Sequence, residues 1–222
     1  MNTLLKPLAL ATAVTGAMMS TQTMAYEAGD FIARGGITQV DADASSSDVS
    51  IEALGGPVAG TGVDVDSATQ LGLNLMYMHS SRVGIELLLA TPFKHHVTAT
   101  GGLRTYADDI AEVEQLPPTL SVIYYLTEGS KFQPYVGAGI NYTMFFSEES
   151  KIGGDADLDD SFGLALQVGA DYQINDSWHV NASARWIDIE TEATLADTDF
   201  GKVTTTVDID PMVYSIMLGY SF

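Results

Sequence analysis

The chain has 222 residues, no cysteine and a formal charge of −20, with 29 acidic residues against 9 lysines and arginines. This balance argues against a nucleic-acid partner, because phosphate backbones are bound by basic surfaces. Without cysteine the chain has no disulfide framework, and its length fits a single domain. Acidic residues are concentrated in four segments, namely 41–66, 108–114, 148–160 and 188–210.

Residues 1–25 have the features of a cleaved secretory signal. Lys6 lies near the start, an apolar stretch covers residues 8–19, and small residues lead to Ala25. An uncleaved anchor is the alternative, but the stretch is shorter than the roughly 20 apolar residues that a spanning helix needs. We therefore expect an exported domain at residues 26–222.

Eight segments of this domain alternate apolar and polar residues with the period of two that is typical of a β-strand. In chain order they are 30–40, 68–78, 83–91, 116–126, 134–146, 161–174, 178–190 and 207–222. The sixth is the clearest, because Leu164, Leu166 and Val168 continue an apolar face opposite glycine, alanine, serine and glutamine. The seventh changes phase at Ile187 and Ile189, which predicts a β-bulge.

The connections between these segments alternate in length. Short turns at 80–82, 127–131 and 175–177 alternate with long polar loops at 41–67, 95–113, 147–160 and 191–206. We predict an all-β fold, an eight-stranded antiparallel transmembrane β-barrel with short periplasmic turns and long extracellular loops, placed in the outer membrane of a Gram-negative bacterium. A soluble lipocalin-like barrel is the alternative, and its outward face would be polar.

The C-terminal strand is apolar at every second position and ends on an aromatic residue. Tyr214, Ile216 and Leu218 lead to Tyr220 and Phe222 on one face. Such an ending suits the bacterial barrel-assembly machinery, which recognises C-terminal strands. Tyr220 and Phe222 are therefore the predicted membrane-assembly signal.

Seven segments match a known family in order along residues 27–222. They are EAGDFIARGG from Glu27, TQLGLNLMYM from Thr69, VGIELLLATPFKHH from Val83, LPPTL from Leu116, KFQPYVGAGINYTMFF from Lys131, QVGADYQIN from Gln167 and DPMVYSIMLGYSF from Asp210. On these segments the chain resembles the outer membrane protein W family of small eight-stranded barrels. The resemblance implies a narrow, porin-like passage for small hydrophobic molecules, lateral exit into the bilayer, and contact with outer-membrane lipid and lipopolysaccharide. Some members also serve as receptors for bacteriocins or phages.

The strand phases direct a mainly apolar set of side chains into the barrel. The predicted lumen or ligand residues are Leu88, Met76, Met78, Ile123, Tyr125, Tyr135 and Met217, together with Val213. They contact a ligand or simply fill the barrel, since eight strands enclose little more than side chains, and both interpretations stay open. The resemblance makes Leu88 a candidate constriction.

Four charged residues, Arg34, Glu86, Asp171 and Arg185, are also predicted to point inward. Buried charges require partners, so we predict pairing of Arg34 with Glu86, and of Arg185 with Asp171 or Asp188. The family can place an aromatic residue at the position of Arg185. A cation there would narrow or polarise the passage.

Pro92, Pro117 and Pro118 interrupt backbone donors on adjacent strands. They mark either a lateral opening or only a bend of the strands.

Two further motifs lack required members, so no metal, cofactor or enzymatic activity is expected. Asp155, Asp157 and Asp159 lack the glycine and glutamate of a calcium loop. A hydrolytic site of His95 and His96 with Asp108 and Asp109 lacks a nucleophile and a supporting spacing. The first functional hypothesis is a conduit for small hydrophobic molecules. The alternative is a surface receptor, adhesion or stress-structural protein that acts through its loops around an inert lumen.

Overall fold

The computed structural model describes residues 26–105, 108–198 and 201–222. The predicted signal peptide at residues 1–25 lies outside the described residues. Eight antiparallel strands close into a barrel, as the sequence predicts, since each pairs with its chain neighbours and the first pairs with the last. They are β1 Phe31–Asp41, β2 Ala68–Met78, β3 Val83–Ala90, β4 Thr119–Tyr125, β5 Phe132–Ser150, β6 Ser161–Gln173, β7 Trp178–Ile187 and β8 Met212–Ser221.

The outer face of the barrel is an apolar band. In β6, Leu164 is 59% exposed and Leu166 is 55% exposed, whereas Ala165 between them is 1% exposed. At the short-turn end, Tyr220 packs against Trp178 and Phe222 with ring centroids 4.9 and 4.8 Å apart. An apolar band with an aromatic girdle is typical of strands that face acyl chains, and it excludes the polar outer face of a soluble barrel.

The predicted phase change in the seventh strand is wrong. The register of β7 with both neighbouring strands continues without irregularity, up to Ile187 against β6. Ile187 and Ile189 are buried on the same inward face as Arg185. Along the strand, the inward residues change from polar to apolar, but successive side chains continue to alternate between the inward and outward faces.

The four long connections, predicted as polar loops, are largely β-structure. Their strands are Ser45–Ser46, Ser50–Ile51, Gly56–Pro57 and Thr61–Val65 in the first connection, Phe93–Gly101 and Asp109–Leu116 in the second, Asp155–Leu158 in the third, and Glu190–Thr198 and Gly201–Asp208 in the fourth. Short 3-10 helices occupy Glu52–Leu54 and Gly102–Thr105. Within the described ranges, no helix has the length and apolar character needed to cross a membrane.

These outer strands continue the barrel wall beyond its eight-stranded part. Asp109–Leu116 pairs with the outer half of β5, Phe93–Gly101 pairs with Asp109–Leu116, and Thr61–Val65 completes that sheet. The remaining outer strands form a second sheet built on the fourth connection. The two sheets face each other above the barrel and enclose an apolar space.

Candidate functional site

The end of the barrel beside the short turns is filled by an apolar and aromatic cluster. Its members, each 4% exposed or less, are Tyr26, Ile32, Met76, Met78, Ile123, Tyr125 and Tyr135. The rings of Tyr26 and Tyr125 have centroids 5.1 Å apart, and the hydroxyl of Tyr26 donates to Asp171 Oδ2 at 2.8 Å. Tyr26 was missed by the sequence analysis because it precedes the first strand, where strand phase carries no information.

A layer of charged side chains lies above this cluster. Arg34 donates through Nη1 to Glu86 Oε2 at 3.2 Å and through Nη2 to Asp171 Oδ2 at 2.8 Å. Its Nη2 also donates to the Tyr125 hydroxyl at 2.8 Å, and its Nε donates to His179 Nε2 at 3.0 Å. These contacts join side chains of β1, β3, β4, β6 and β7, so the layer spans the barrel interior.

Arg185 completes the layer, but with a different partner from the predicted one. Its Nη2 donates to Glu86 Oε1 at 2.7 Å and to Gln167. The predicted pairing with Asp171 or Asp188 is wrong, because Arg185 lies opposite Gln167 in the register. Asp171 lies four residues beyond Gln167 along β6, which is about 13 Å at the rise of a strand. Asp171 pairs with Arg34 instead.

Above the charged layer, apolar side chains share the interior with small uncharged polar ones, such as Asn74, Thr119 and Asn141. Leu88 follows Glu86 on the inward face of β3 and lies between Asn74 and Thr119 in the registers with its two neighbours. Met217 and Val213 of β8 are buried on the inward face. The predicted lumen residues therefore form two groups. Five belong to the cluster beside the short turns, and Leu88, Met217 and Val213 lie outside that cluster.

The ladder between β3 and β4 is interrupted just above Leu88. The last register pair of the two strands is Leu88 with Thr119, and the next pair in the wall is Phe93 with Gln115. Between these pairs, residues 89–92 and 116–118 share no register pair. Pro92, Pro117 and Pro118 all lie in this interval, and proline has no N–H to donate. Thr91 and Pro118 bond instead to their other neighbours, β2 and β5.

An apolar pocket of about 60 Å³ lies above the interval, between the two outer sheets. We call it the outer pocket. Its lining residues are Val63, Val65, His95, Val97, Ile110, Ala111, Val113, Gln115, Phe145, Ala156, Leu158, Thr191, Ala193, Leu195, Thr205, Val207 and Ile209. The sequence analysis missed it because most of these residues lie in segments predicted as loops, although Thr191, Ala193 and Leu195 do alternate with polar residues.

The remaining predicted residues lie outside the interior. Phe222 is 75% exposed at the short-turn end, and its backbone N–H donates to Phe31. Among the residues that the structure describes, no group of three or more histidine, aspartate and glutamate side chains is arranged to hold a metal ion.

Known proteins with similar sequences and structures share this architecture. The chain is 44% identical over 217 residues to outer membrane protein W of Vibrio cholerae, covering 95% of this chain and 96% of that protein. It matches the crystal structure of outer membrane protein OprG from Pseudomonas aeruginosa with a TM-score of 0.85 and 42% identity, covering 90% of this chain and 99% of that one.

A more distant relative is the dibenzothiophene metabolism operon protein PahQ of Pseudomonas aeruginosa, 27% identical over 187 residues, which cover 84% of this chain and 86% of that protein. The model of the OmpW family matches residues 27–222. With a closed barrel, an apolar outer band and these relatives, the chain is a bacterial outer-membrane protein and belongs to the OmpW family.

Proposed function

We propose that this barrel is a passive conduit that lets small hydrophobic molecules cross the outer membrane, with entry at the outer pocket and exit through the wall. The observation that carries the proposal is the position of the apolar outer pocket directly above the interrupted ladder between β3 and β4. A ligand that leaves the pocket at Gln115 meets the interval of Pro92, Pro117 and Pro118. From there it reaches acyl chains without crossing the charged layer.

The energetics favour this route over one along the barrel axis. Burial of apolar surface in the pocket yields about 25 cal/mol per Å², whereas an apolar ligand in the charged layer would separate ion pairs from their partners. The name of the relative PahQ, a dibenzothiophene metabolism operon protein, links that protein to an apolar aromatic compound. This supports a hydrophobic cargo for the present chain.

Contacts outside the conduit follow from the location in the outer membrane, where the apolar band meets lipid and lipopolysaccharide. Within the proposal, Tyr220 and Phe222 are the signal for the barrel-assembly machinery, and the exposure of Phe222 leaves it free to be recognised.

The test is uptake of a fluorescent arylnaphthylamine into vesicles that contain the refolded protein and lipopolysaccharide. Leu88 forms the last register pair before the interval, so Leu88→Arg places a charged side chain at the edge of the exit. We expect uptake to fall about tenfold or more, because an apolar ligand gains nothing by contact with a hydrated charge. Leu54→Arg is the matched control, because Leu54 is exposed in the first connection. Leu88→Gln serves as a second variant if the arginine prevents folding.

Unchanged uptake in both Leu88 variants contradicts the conduit. If deletion of residues 45–57 then abolishes binding of a bacteriocin or phage, the function lies in the loops around an inert lumen.

A further inference from the structure

The outer pocket is apolar except at its base. Among the lining residues that the structure describes, none is charged. Thr191 and Thr205 donate their hydroxyls to the backbone carbonyls of Asp159 and Ser47. Gln115 is 2% exposed and stands between Phe93 and Phe145 in the registers with the neighbouring strands. The amide of Gln115 is therefore enclosed by aromatic and aliphatic surface.

His95 determines which way this amide points. His95 Nδ1 lies 2.6 Å from the backbone oxygen of Asp66, and a carbonyl oxygen only accepts, so Nδ1 carries the hydrogen. Burial lowers the pKa of His95, so the ring is neutral at pH 7 and its Nε2 is an acceptor. Gln115 Nε2 lies 2.8 Å from His95 Nε2 and must be the donor of that hydrogen bond.

This orientation leaves the Gln115 carbonyl without a protein donor. Gln115 Oε1 is buried and accepts no hydrogen bond from the part of the chain that the structure describes, which is unfavourable for an acceptor in apolar surroundings. The pocket of about 60 Å³ is larger than the roughly 15 Å³ that a water molecule requires. Gln115 lines this pocket, so a small shift of its side chain would present the acceptor to a ligand that carries one donor and buries its apolar part against the walls.

We propose that Gln115 gives the outer pocket a preference for hydrophobic molecules that carry one hydroxyl group, such as phenols and short alcohols, over hydrocarbons of the same size. This inference rests on the proposed function and names its substrate class. Charged ligands are disfavoured, because the lining residues offer no counter-charge. Gln115 Oε1 is the buried lining acceptor that has no hydrogen-bond partner among the described residues, and a single neutral donor on an apolar body matches it.

The test compares para-fluorophenol with para-fluorotoluene by fluorine NMR on the refolded barrel in bicelles, with protein-free bicelles as the reference. We expect the phenol to bind about twofold to tenfold more tightly than the toluene, as one hydrogen bond provides. Gln115→Met keeps the length of the side chain and removes the acceptor, so the ratio of the two dissociation constants should fall to about one. Gln39→Met is the matched control, because Gln39 is exposed on β1, and it should leave the ratio unchanged.

Equal binding of the two probes to the unaltered chain, or an unchanged ratio in Gln115→Met, overturns the inference. If Gln115→Met does not fold, the side-chain amide resonances of Gln115 in the unaltered chain decide, since the phenol should shift them and the toluene should not. Equal binding together with uptake that still depends on Leu88 overturns the preference alone. Absence of binding by either probe, with uptake indifferent to Leu88, overturns the proposed function as well.

Discussion

Arg34 holds the charged layer together, so its replacement should be the most damaging single change in the barrel interior. The guanidinium donates to two carboxylates, to the Tyr125 hydroxyl and to His179. Without it, the hydrogen bonds that remain to Asp171 among the described residues come from neutral donors, Tyr26, Tyr125 and Asn181. His179 Nε2 lies further away, 3.8 Å from Asp171 Oδ1. Removing one partner of a buried ion pair costs about 3–5 kcal/mol, and we expect a loss of this size for Arg34→Met.

The chain offers a matched control on its surface. Arg82 also pairs with a carboxylate, Glu128, at 3.0 Å, but the two side chains are 42% and 40% exposed. Exposed pairs contribute about 0–1 kcal/mol, so Arg82→Met should have little effect. Urea unfolding in lipid vesicles, followed by the fluorescence of Trp178 and Trp186 in β7, measures both losses.

A double variant separates charge from packing. Arg34→Met with Asp171→Asn leaves Arg185 paired with Glu86 and removes the uncompensated carboxylate. We expect the double variant to be more stable than Arg34→Met alone. A cost for Arg34→Met as small as that for Arg82→Met, or a double variant that is less stable still, would refute the account of the layer.

Two further predictions concern close packing and the filled end of the barrel. A Cβ at Gly36 would lie 2.2 Å from the backbone oxygen of Ile216, whereas a Cβ at Gly35 meets nothing within 4 Å. Gly36→Ala should therefore lower the free energy of unfolding in urea by about 2 kcal/mol or more, and Gly35→Ala should change it by no more than about 0.5 kcal/mol. Equal losses in the two variants would contradict the contact. Tyr26→Phe removes the donor to the buried Asp171 and should cost about 1.5 kcal/mol or more, while Tyr142→Phe, which removes an exposed bond to Asp160, should cost clearly less in the same assay.

Strand alternation predicted the barrel because lipid and lumen impose opposite chemistry on successive side chains. In β6 the apolar set is outward without exception, and the prediction of its faces is correct. Where both faces meet apolar surroundings, the same reasoning fails. Ile187 and Ile189 point inward at a level where the interior is apolar. Apolar residues at these inward positions therefore look, in the sequence, like a change of phase.

The height of a residue along the barrel is harder to predict than its face. Phase alone directs Arg185 inward, but its partner depends on which level of the distant strand β3 lies opposite. That level is determined by the stagger of all the strands around the barrel, which no local pattern contains. The outer strands were missed for a related reason. Their outward residues are charged, as in loops, and their inward residues contact apolar partners only on the opposite side of the outer pocket.

Arg185 would polarise a passage along the barrel axis. Whether it affects the proposed conduit depends on its height relative to the exit. Its partner Glu86 precedes Leu88 on the inward face by two residues, about 6.6 Å at the rise of a strand. The interruption of the ladder begins beyond Leu88. The charged layer therefore lies below the proposed exit. It obstructs the axis towards the short turns, and the path from the outer pocket to the wall passes only uncharged residues among those that the structure describes. A cation at this level is compatible with lateral release and opposes only passage straight through the barrel.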